Sequence, residues 1–239
     1  MKLLTILQAR MTSTRLPGKV LKPVLGMPMM GRQIERLRRA ERLGELVVAT
    51  STDASDDPVE RYARELGCRV HRGSLLDVLA RYAGALAEHG PADHVVRVTA
   101  DCPLTDWRIA DAVVEHHLRT GSDYTSNTVE RTYPKGLDVE IVRAPLLEAA
   151  AQEASDPYER EHVTPFFYRR PERFRIAQLT QAEKLDDLRW TVDTPDDYAF
   201  ARQVYAALHP KKPDFDAGDI LALGWTRWDG STPPPSRSA

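Results

Sequence analysis

The amino-acid sequence predicts an α/β fold with a mainly parallel sheet flanked by helices. Short apolar runs alternate with amphipathic segments along the first half of the chain, and each run is followed by a polar loop. This β-loop-α alternation is typical of parallel sheets with helices on both faces. The chain has 239 residues, of which 42% are apolar, so it is long enough to bury a sizeable core.

The strands and helices of the first half follow from these patterns. The apolar run Leu3-Leu4-Thr5-Ile6-Leu7 predicts a first buried strand. Pro28 opens a helix in which Met30, Ile34 and Leu37 recur at helical spacing. By the same criteria, further strands are predicted at 46–50, 69–71 and 95–98, and further helices at 56–66, within 72–82 and at 109–118.

The alternation breaks between about 123 and 180, which we interpret as an inserted lobe. The predicted elements of the second half are a strand at 137–142, a helix at 144–154, a helix-and-turn segment at 159–170, strands at 174–179 and 189–192, and helices at 195–208 and 217–223. We therefore predict one domain over 1–228 that includes the lobe. The Pro- and Ser-rich residues 229–239 predict a disordered tail.

The composition argues against several classes of protein. The net charge is −2, which gives no basic footprint for nucleic-acid binding. Two cysteines without a C-x-x-C pattern indicate neither a disulfide framework nor a zinc site. The N-terminus enters a strand without a signal peptide, and no apolar run approaches the ~18 residues of a membrane span. We expect a cytoplasmic protein with no nucleic-acid or membrane partner.

A basic loop, Gln8 to Lys19, follows the first strand directly. A strand of this kind delivers its loop to the carboxyl edge of the sheet, where α/β proteins bind ligands. Arg10, Arg15 and Lys19 place three cations on the loop, and three cations match the charge of a triphosphate. The loop contains neither G-x-G-x-x-G nor a Walker A motif. From charge alone, a solvated basic turn is an equally good interpretation.

Two aspartates are predicted at strand ends. Asp101 lies in T-A-D-C-P-L, where Pro103 turns the chain, and Asp193 lies in V-D-T-P-D-D. Two carboxylates at two strand ends suit Mg²⁺, which prefers hard oxygen ligands. Each residue also has a structural interpretation, because Asp before Thr-Pro is a good helix cap and Asp101 could form an Asx turn.

The order of residues in these segments resembles a known family. Q-A-R-x-x-S-x-R-L-P-G-K at 8–19 is similar to the N-terminal signature of cytidylyltransferases that activate sugar acids. R-G-S-x-x-D-V-L-x-R-Y at 72–82, V-D-T-P-D-D, T-Y-P-K-G-L-D-V-E and R-E-H-V-T-P also resemble this family, in particular its spore coat polysaccharide biosynthesis protein F type. These proteins are relatives of the CMP-acylneuraminate and CMP-KDO synthetases.

The resemblance implies a Rossmann-like nucleotidyltransferase fold that uses CTP and Mg²⁺. It implies transfer of CMP to an acidic acceptor, either a sugar acid or a small phosphorylated or phosphonate compound, with release of pyrophosphate. The inserted lobe would then serve the acceptor and a possible homodimer. A glycosyltransferase that uses a finished nucleotide sugar, and a nucleotidyltransferase that uses another nucleoside triphosphate, remain open as alternatives.

The resemblance also implies roles for individual residues. The implied catalytic residues are Arg10, Lys19 and Asp101, and the implied metal ligands are Asp101 and Asp193. The implied nucleotide-binding residues are Gln8, Ala9, Arg10, Ser13, Arg15, Lys19, Ser51, Arg72, Ser74, Thr99 and Ala100. The implied acceptor-binding residues are Lys135, Asp138, Glu140, Arg160 and His162. Residues 137–142 could also form a half-buried strand without any function, and His162 could be a structural histidine.

Overall fold

The structure, a computed structural model, describes residues 1–225. The predicted tail at 229–239 and the last residues of the predicted domain lie outside the described residues. Within the described range, no helix is long and apolar enough to cross a membrane.

A seven-stranded sheet forms the centre of the fold, in the order β5-β4-β1-β6-β8-β7-β9. The strands, including a small separate hairpin of β2 and β3, are β1 Leu3–Gln8, β2 Pro23–Val24, β3 Met27–Pro28, β4 Glu45–Ser51, β5 Arg69–Gly73, β6 His94–Thr99, β7 Tyr124–Ser126, β8 Glu140–Arg143 and β9 Ile176–Gln178. Strands β5, β4, β1 and β6 are parallel, whereas β8 runs antiparallel to both β6 and β7. The prediction of a mostly parallel sheet in a Rossmann-like arrangement is confirmed.

Helices cover both faces of the sheet because the buried strands are apolar on both sides. They are α1 Met29–Leu37, α2 Asp57–Glu65, α3 Val78–His89, α4 Trp107–Thr120, α5 Ala144–Glu153, α6 Pro157–His162, α7 Pro165–Tyr168, α8 Pro195–Leu208 and α9 Ala217–Ala222. Leu3 and Leu7 of β1 pack with α1, α2 and α4, and Leu4 and Ile6 pack with α3, α5 and α7. A third apolar cluster joins the β2–β3 hairpin to α8 and α9.

Two predicted strands differ from the structure. The segment 137–139 is not strand, because the side-chain amide of Asn127 donates to the Leu137 carbonyl and accepts from the Val139 amide. A side chain therefore takes the place of a neighbouring strand there. The predicted strand at 189–192 is wrong, since only Arg189 forms a β-bridge, to Lys135.

Strand β7 was not predicted at all. Its three residues are Tyr124, Thr125 and Ser126, so it is short and carries two hydroxyl side chains. It is nevertheless fully buried between β8 and β9, where its backbone completes the sheet. A short polar segment gives no apolar periodicity from which to predict a strand.

Candidate active site

A cleft of about 560 Å³ opens at the carboxyl ends of β1 and β6. The two strands are adjacent and parallel, with Gln8 opposite Thr99, so the loops that follow them leave the sheet side by side. The cleft is lined by Gln8, Ala9, Arg10, Thr12, Ser13, Thr14, Arg15, Lys19, Val20, Leu75, Leu76, Thr99, Ala100, Asp101, His162 and Asp193. The basic loop and both predicted metal ligands therefore face one shared space.

The basic loop is folded back on itself before it reaches Lys19. The amides of Ser13 and Gly18 both donate to the Met11 carbonyl, at 3.0 and 2.9 Å. Gly18 has φ 67°, a left-handed conformation that glycine adopts without the steric cost of a Cβ atom. This turn leads into a short 3₁₀ helix, Lys19–Leu21, and directs Lys19 back towards the sheet.

Asp56 holds the start of this loop in place through hydrogen bonds. It is fully buried and accepts hydrogen bonds from the Met11 amide and from the amide and hydroxyl of Ser51. Ser51, predicted to bind nucleotide, therefore contacts Asp56 and is not among the residues that line the cleft. The pair ties the end of β4 to the start of the basic loop.

Lys19 lies between the two predicted metal ligands. Its Nζ is 3.1 Å from Asp101 Oδ2 and 2.8 Å from Asp193 Oδ1, and it also donates to the Val192 carbonyl at 2.8 Å. All three hydrogens of the ammonium thus have partners, and Lys19 is only 9% exposed. In addition, the Val192 amide donates to the Asp101 carbonyl at 2.7 Å, so the backbones that carry the two carboxylates are joined directly.

Asp193 is not the cap of the helix that follows it. Thr194 caps α8, and the Asp197 side chain completes the capping box. The Asp193 carboxylate instead contacts Arg15 at 3.1 Å and accepts a hydrogen bond from Arg189. Burial disfavours its charged form, but the hydrogen bond and charge of Lys19, together with both arginines, outweigh burial and lower the pKa of Asp193.

The two carboxylates fit a magnesium ion as a pair of hard oxygen donors. Asp101 Oδ1 is held by the Thr99 hydroxyl at 2.7 Å, and Asp193 Oδ2 is held by the arginines. The second oxygen of each carboxylate faces Lys19. Across residues 1–225, no group of three or more Asp, Glu, His or Cys side chains could hold a metal ion. Such a pair requires water and phosphate oxygens as its remaining ligands, which is how Mg²⁺ usually binds.

Comparison with known proteins agrees with this geometry. The profile of the cytidylyltransferase family matches residues 4–209. The chain belongs to the cytidylyltransferase family. Spore coat polysaccharide biosynthesis protein SpsF of Bacillus subtilis is 33% identical to it over 228 residues, which are 92% of this chain and 93% of that protein. The resemblance stated from the sequence is confirmed.

Two proteins that are named cytidylyltransferases are also similar to this chain. The 3-deoxy-manno-octulosonate cytidylyltransferase of Bradyrhizobium sp. is 32% identical over 209 residues, covering 79% of this chain and 84% of that protein. The solved structure of a cytidylyltransferase from Leptospira borgpetersenii superposes with a TM-score of 0.88 at 33% identity, covering 93% of each chain.

Most of the residues predicted to bind nucleotide in this cytidylyltransferase line the cleft, but three do not. Ser51 donates to the buried Asp56 carboxylate instead. Arg72 pairs with Asp57 at 2.7 Å and with Glu60 at 2.8 Å, and it also donates to the carbonyls of Ser51 and Asp53. Ser74 accepts a hydrogen bond from the Asp77 amide at the N-terminus of α3. Contact of these three residues with nucleotide stays a prediction.

Of the predicted acceptor residues, His162 lines the cleft. Glu140 is buried, where it pairs with Arg97 and accepts from the Tyr124 hydroxyl at 2.5 Å. Asp138 is held by Arg131 through two hydrogen bonds of 2.6 and 3.0 Å. The other two, Arg160 and Lys135, contact Asp77 and the segment 188–191, respectively. The acceptor roles of these four residues stay predictions, and the structure places them outside the residues that line the cleft.

Several residues at the site were missed from the sequence. Leu75 and Leu76 line the cleft, and Leu76 is 80% exposed. Val163 has φ 69° and ψ −64°, a strained conformation for a β-branched residue. It turns the chain immediately after His162, whose carbonyl accepts from the Thr164 amide at 2.8 Å. No residue type in R-E-H-V-T-P indicates this turn, because valine disfavours positive φ.

Proposed function

We propose that this cytidylyltransferase transfers CMP from CTP to an acidic acceptor and releases pyrophosphate. One observation carries the proposal: a loop with three cations and two carboxylates from distant segments meet in a cleft of about 560 Å³. Cavities of this size class hold small-molecule substrates. The cations match a triphosphate in charge, and the carboxylates match a divalent ion.

The reaction requires an acceptor oxygen to attack the α-phosphorus of CTP while pyrophosphate leaves. We assign Arg10 and Arg15 to the triphosphate, where guanidinium groups neutralise charge that moves towards the leaving group. An acceptor that carries an ionised oxygen needs no strong general base, since positioning and charge neutralisation provide most of the rate enhancement. Gln8, Ser13, Thr99 and Ala100 line the same space and are assigned to nucleotide contacts.

Asp101 and Asp193 would hold a magnesium ion in this proposal. When bound, the ion would neutralise charge on the phosphate oxygens and orient them. The carboxylates themselves are already oriented by this chain. Thr99 fixes Asp101, and Arg15 with Arg189 fixes Asp193, so neither carboxylate must be ordered when substrate binds.

The acceptor proposed is a sugar acid or a small phosphorylated or phosphonate compound. The name of the Bradyrhizobium relative supports an acidic sugar. His162 lies in the cleft with Asp101 and is the residue we assign to the acceptor side. Its ring packs 4.3 Å from that of Tyr158, which limits the orientations of the imidazole. We retain the homodimer and the cytoplasmic location as parts of the proposal, to be tested by light scattering and by cell fractionation.

A pyrophosphate-release screen tests the function. Purified protein with Mg²⁺ is mixed with each of the four nucleoside triphosphates and with a panel of sugar acids, sugar phosphates and phosphonates. We expect release with CTP and at least one acidic acceptor, and formation of the matching CMP conjugate. Release with a purine nucleotide alone would contradict the choice of CTP. Turnover only with finished nucleotide sugars, without pyrophosphate, would favour the glycosyltransferase.

A further inference from the structure

The cation position of the carboxylate pair is occupied by a side chain of the protein itself. Asp101 Oδ2 and Asp193 Oδ1 are the two oxygens that no other residue anchors, and among the described residues both accept from Lys19 Nζ alone. Those are the oxygens that a divalent ion would use. Lys19 therefore stands where the ion would be expected, and the inference that follows rests on the proposed role of the two aspartates.

The Lys19 ammonium cannot donate to both carboxylates and to a triphosphate at the same time. Its three hydrogens are all donated, two to the carboxylates and one to the Val192 carbonyl. A lysine on a flexible four-carbon stem can move its charge, whereas Arg15 and Arg189 keep the outer oxygen of Asp193. Binding of phosphate by Lys19 thus requires that the ammonium leave the pair, which exposes both free oxygens together.

The charges around Asp101 and Asp193 favour the entry of a metal–triphosphate complex over the entry of a bare metal ion. Three carboxylates, Asp101, Asp193 and Asp197, are matched by three cations, Lys19, Arg15 and Arg189. The group is therefore already neutral, and a bare divalent ion that entered while Lys19 stayed in place would make it positive. A complex of the ion with a triphosphate carries net negative charge, and its phosphates offer Lys19 a new partner. Like charges at these distances repel strongly when water is partly excluded.

We propose that Lys19 is an internal counter-ion that holds the cation position of Asp101 and Asp193 until a metal–triphosphate complex displaces it. The nucleotide-free enzyme then binds bare divalent ions weakly, and metal and nucleotide enter together. In this role Lys19 keeps two nearby carboxylates from repelling each other in the free enzyme, in addition to its proposed part in binding phosphate.

Direct metal binding to the nucleotide-free, full-length protein tests the proposal. Mn²⁺ is the probe, because it takes the same oxygen ligands and its free form is measured by electron paramagnetic resonance. Lys19→Met is compared with the wild type and with Lys22→Met, which removes the same charge three residues along the chain. Lys22 lies 6.0 Å from the Tyr198 ring and makes no ion pair with either aspartate.

We expect Lys19→Met to bind Mn²⁺ about tenfold more tightly than the wild type, or better, and Lys22→Met to stay within about twofold. Adding Asp101→Asn to Lys19→Met should remove the gain. Equal or weaker binding by Lys19→Met, or the same gain in Lys22→Met, would overturn the proposal. Lys19→Gln keeps a donor for the Val192 carbonyl and serves if the methionine variant does not fold. The titration contains no nucleotide, so its outcome is independent of whether CMP transfer is observed.

Discussion

Arg160 Nη2 lies 2.6 Å from Asp77 Oδ2, and this ion pair joins α6 to the N-terminus of α3. Asp77 also caps α3 by accepting from the Ala80 amide, and Arg160 also donates to the carbonyls of Ala151 and Ala154. The loop that carries Leu76 and the turn that carries His162 are adjacent to this pair in the sequence. One contact therefore links two segments that line the cleft.

Loss of this link should destabilise the fold. We expect Arg160→Met to lower the free energy of unfolding by about 1–2 kcal/mol, because it removes an ion pair and leaves two carbonyls without their donor. Urea unfolding measures this. Arg169→Met is the control, since Arg169 makes only half-exposed contacts, to Asp156 at 3.5 Å and over the Tyr158 ring at 4.5 Å, and its loss should cost less. Equal losses in the two variants would contradict the linking role of Arg160.

Asp101 should be indispensable for turnover. We expect Asp101→Ala to abolish CMP transfer and Asp101→Asn to lower kcat by about 10²-fold or more, because a neutral side chain no longer balances the cations of the cleft. Pyrophosphate release with the acceptor found in the screen measures this. Asp187→Asn is the control, because Asp187 is exposed and precedes Asp193 in the same segment of the sequence. Near-normal turnover in Asp101→Asn would remove this carboxylate from the mechanism.

Removal of the Lys19 charge should slow the reaction without destroying the cleft. We expect Lys19→Ala to lower kcat/KM by on the order of 10²-fold, the usual effect of losing one charged contact to the transition state. Steady-state kinetics at saturating Mg²⁺ measure this, with Lys22→Ala as the matched loss of charge. A change confined to a few fold would show that Arg10 and Arg15 suffice for the triphosphate.

Stability should depend on pH through His117. This residue is fully buried, with Nε2 2.9 Å from His94 Nδ1 and Nδ1 2.9 Å from the Thr125 hydroxyl. Burial, and secondarily the nearby His94, lower the pKa of His117 from 6.5 to about 4. Between those values the unfolded chain binds more protons, so stability is lost as the pH falls from about 6.5 towards 4.

The loss attributable to His117 should reach about 2–4 kcal/mol at pH 4. Urea unfolding at a series of pH values measures it, and His117→Gln, which keeps hydrogen-bonding groups but does not titrate, should have a flatter profile in this window. Identical slopes for the wild type and His117→Gln would contradict the assignment. His94, whose pKa is also lowered by burial, contributes in the same direction.

Features that depend only on neighbouring residues in the sequence could be predicted. The strand before the basic loop was predicted because an apolar run ends at a polar loop, and Asp101 was placed at the sheet edge because Pro103 stops the strand. Both features depend on neighbouring residues only. The residue that caps α8 could not be decided from the sequence, since Asp193 and Thr194 are both good caps. Only the three-dimensional contacts of Asp193 with Lys19 and Arg15 show that Thr194 is the cap.

Features that depend on distant contacts could not be predicted. Asn127 replaces a strand partner for 137–139, and nothing in the local pattern there distinguishes that arrangement from a strand. Glu140 alternates with apolar residues as an exposed residue would. It is nevertheless buried, because Arg97 pairs with its carboxylate and the Tyr124 hydroxyl donates to it. Such residues are placed by partners far along the chain, which periodicity does not report.

The hydrogen bond from the Val192 amide to the Asp101 carbonyl has a consequence for how this enzyme can diversify. This bond fixes the main-chain positions from which the two acids extend, whereas Thr99, Arg15 and Arg189 fix the carboxylates themselves. An engineer who exchanges other residues of the cleft should therefore keep this amide-to-carbonyl connection together with those three side chains.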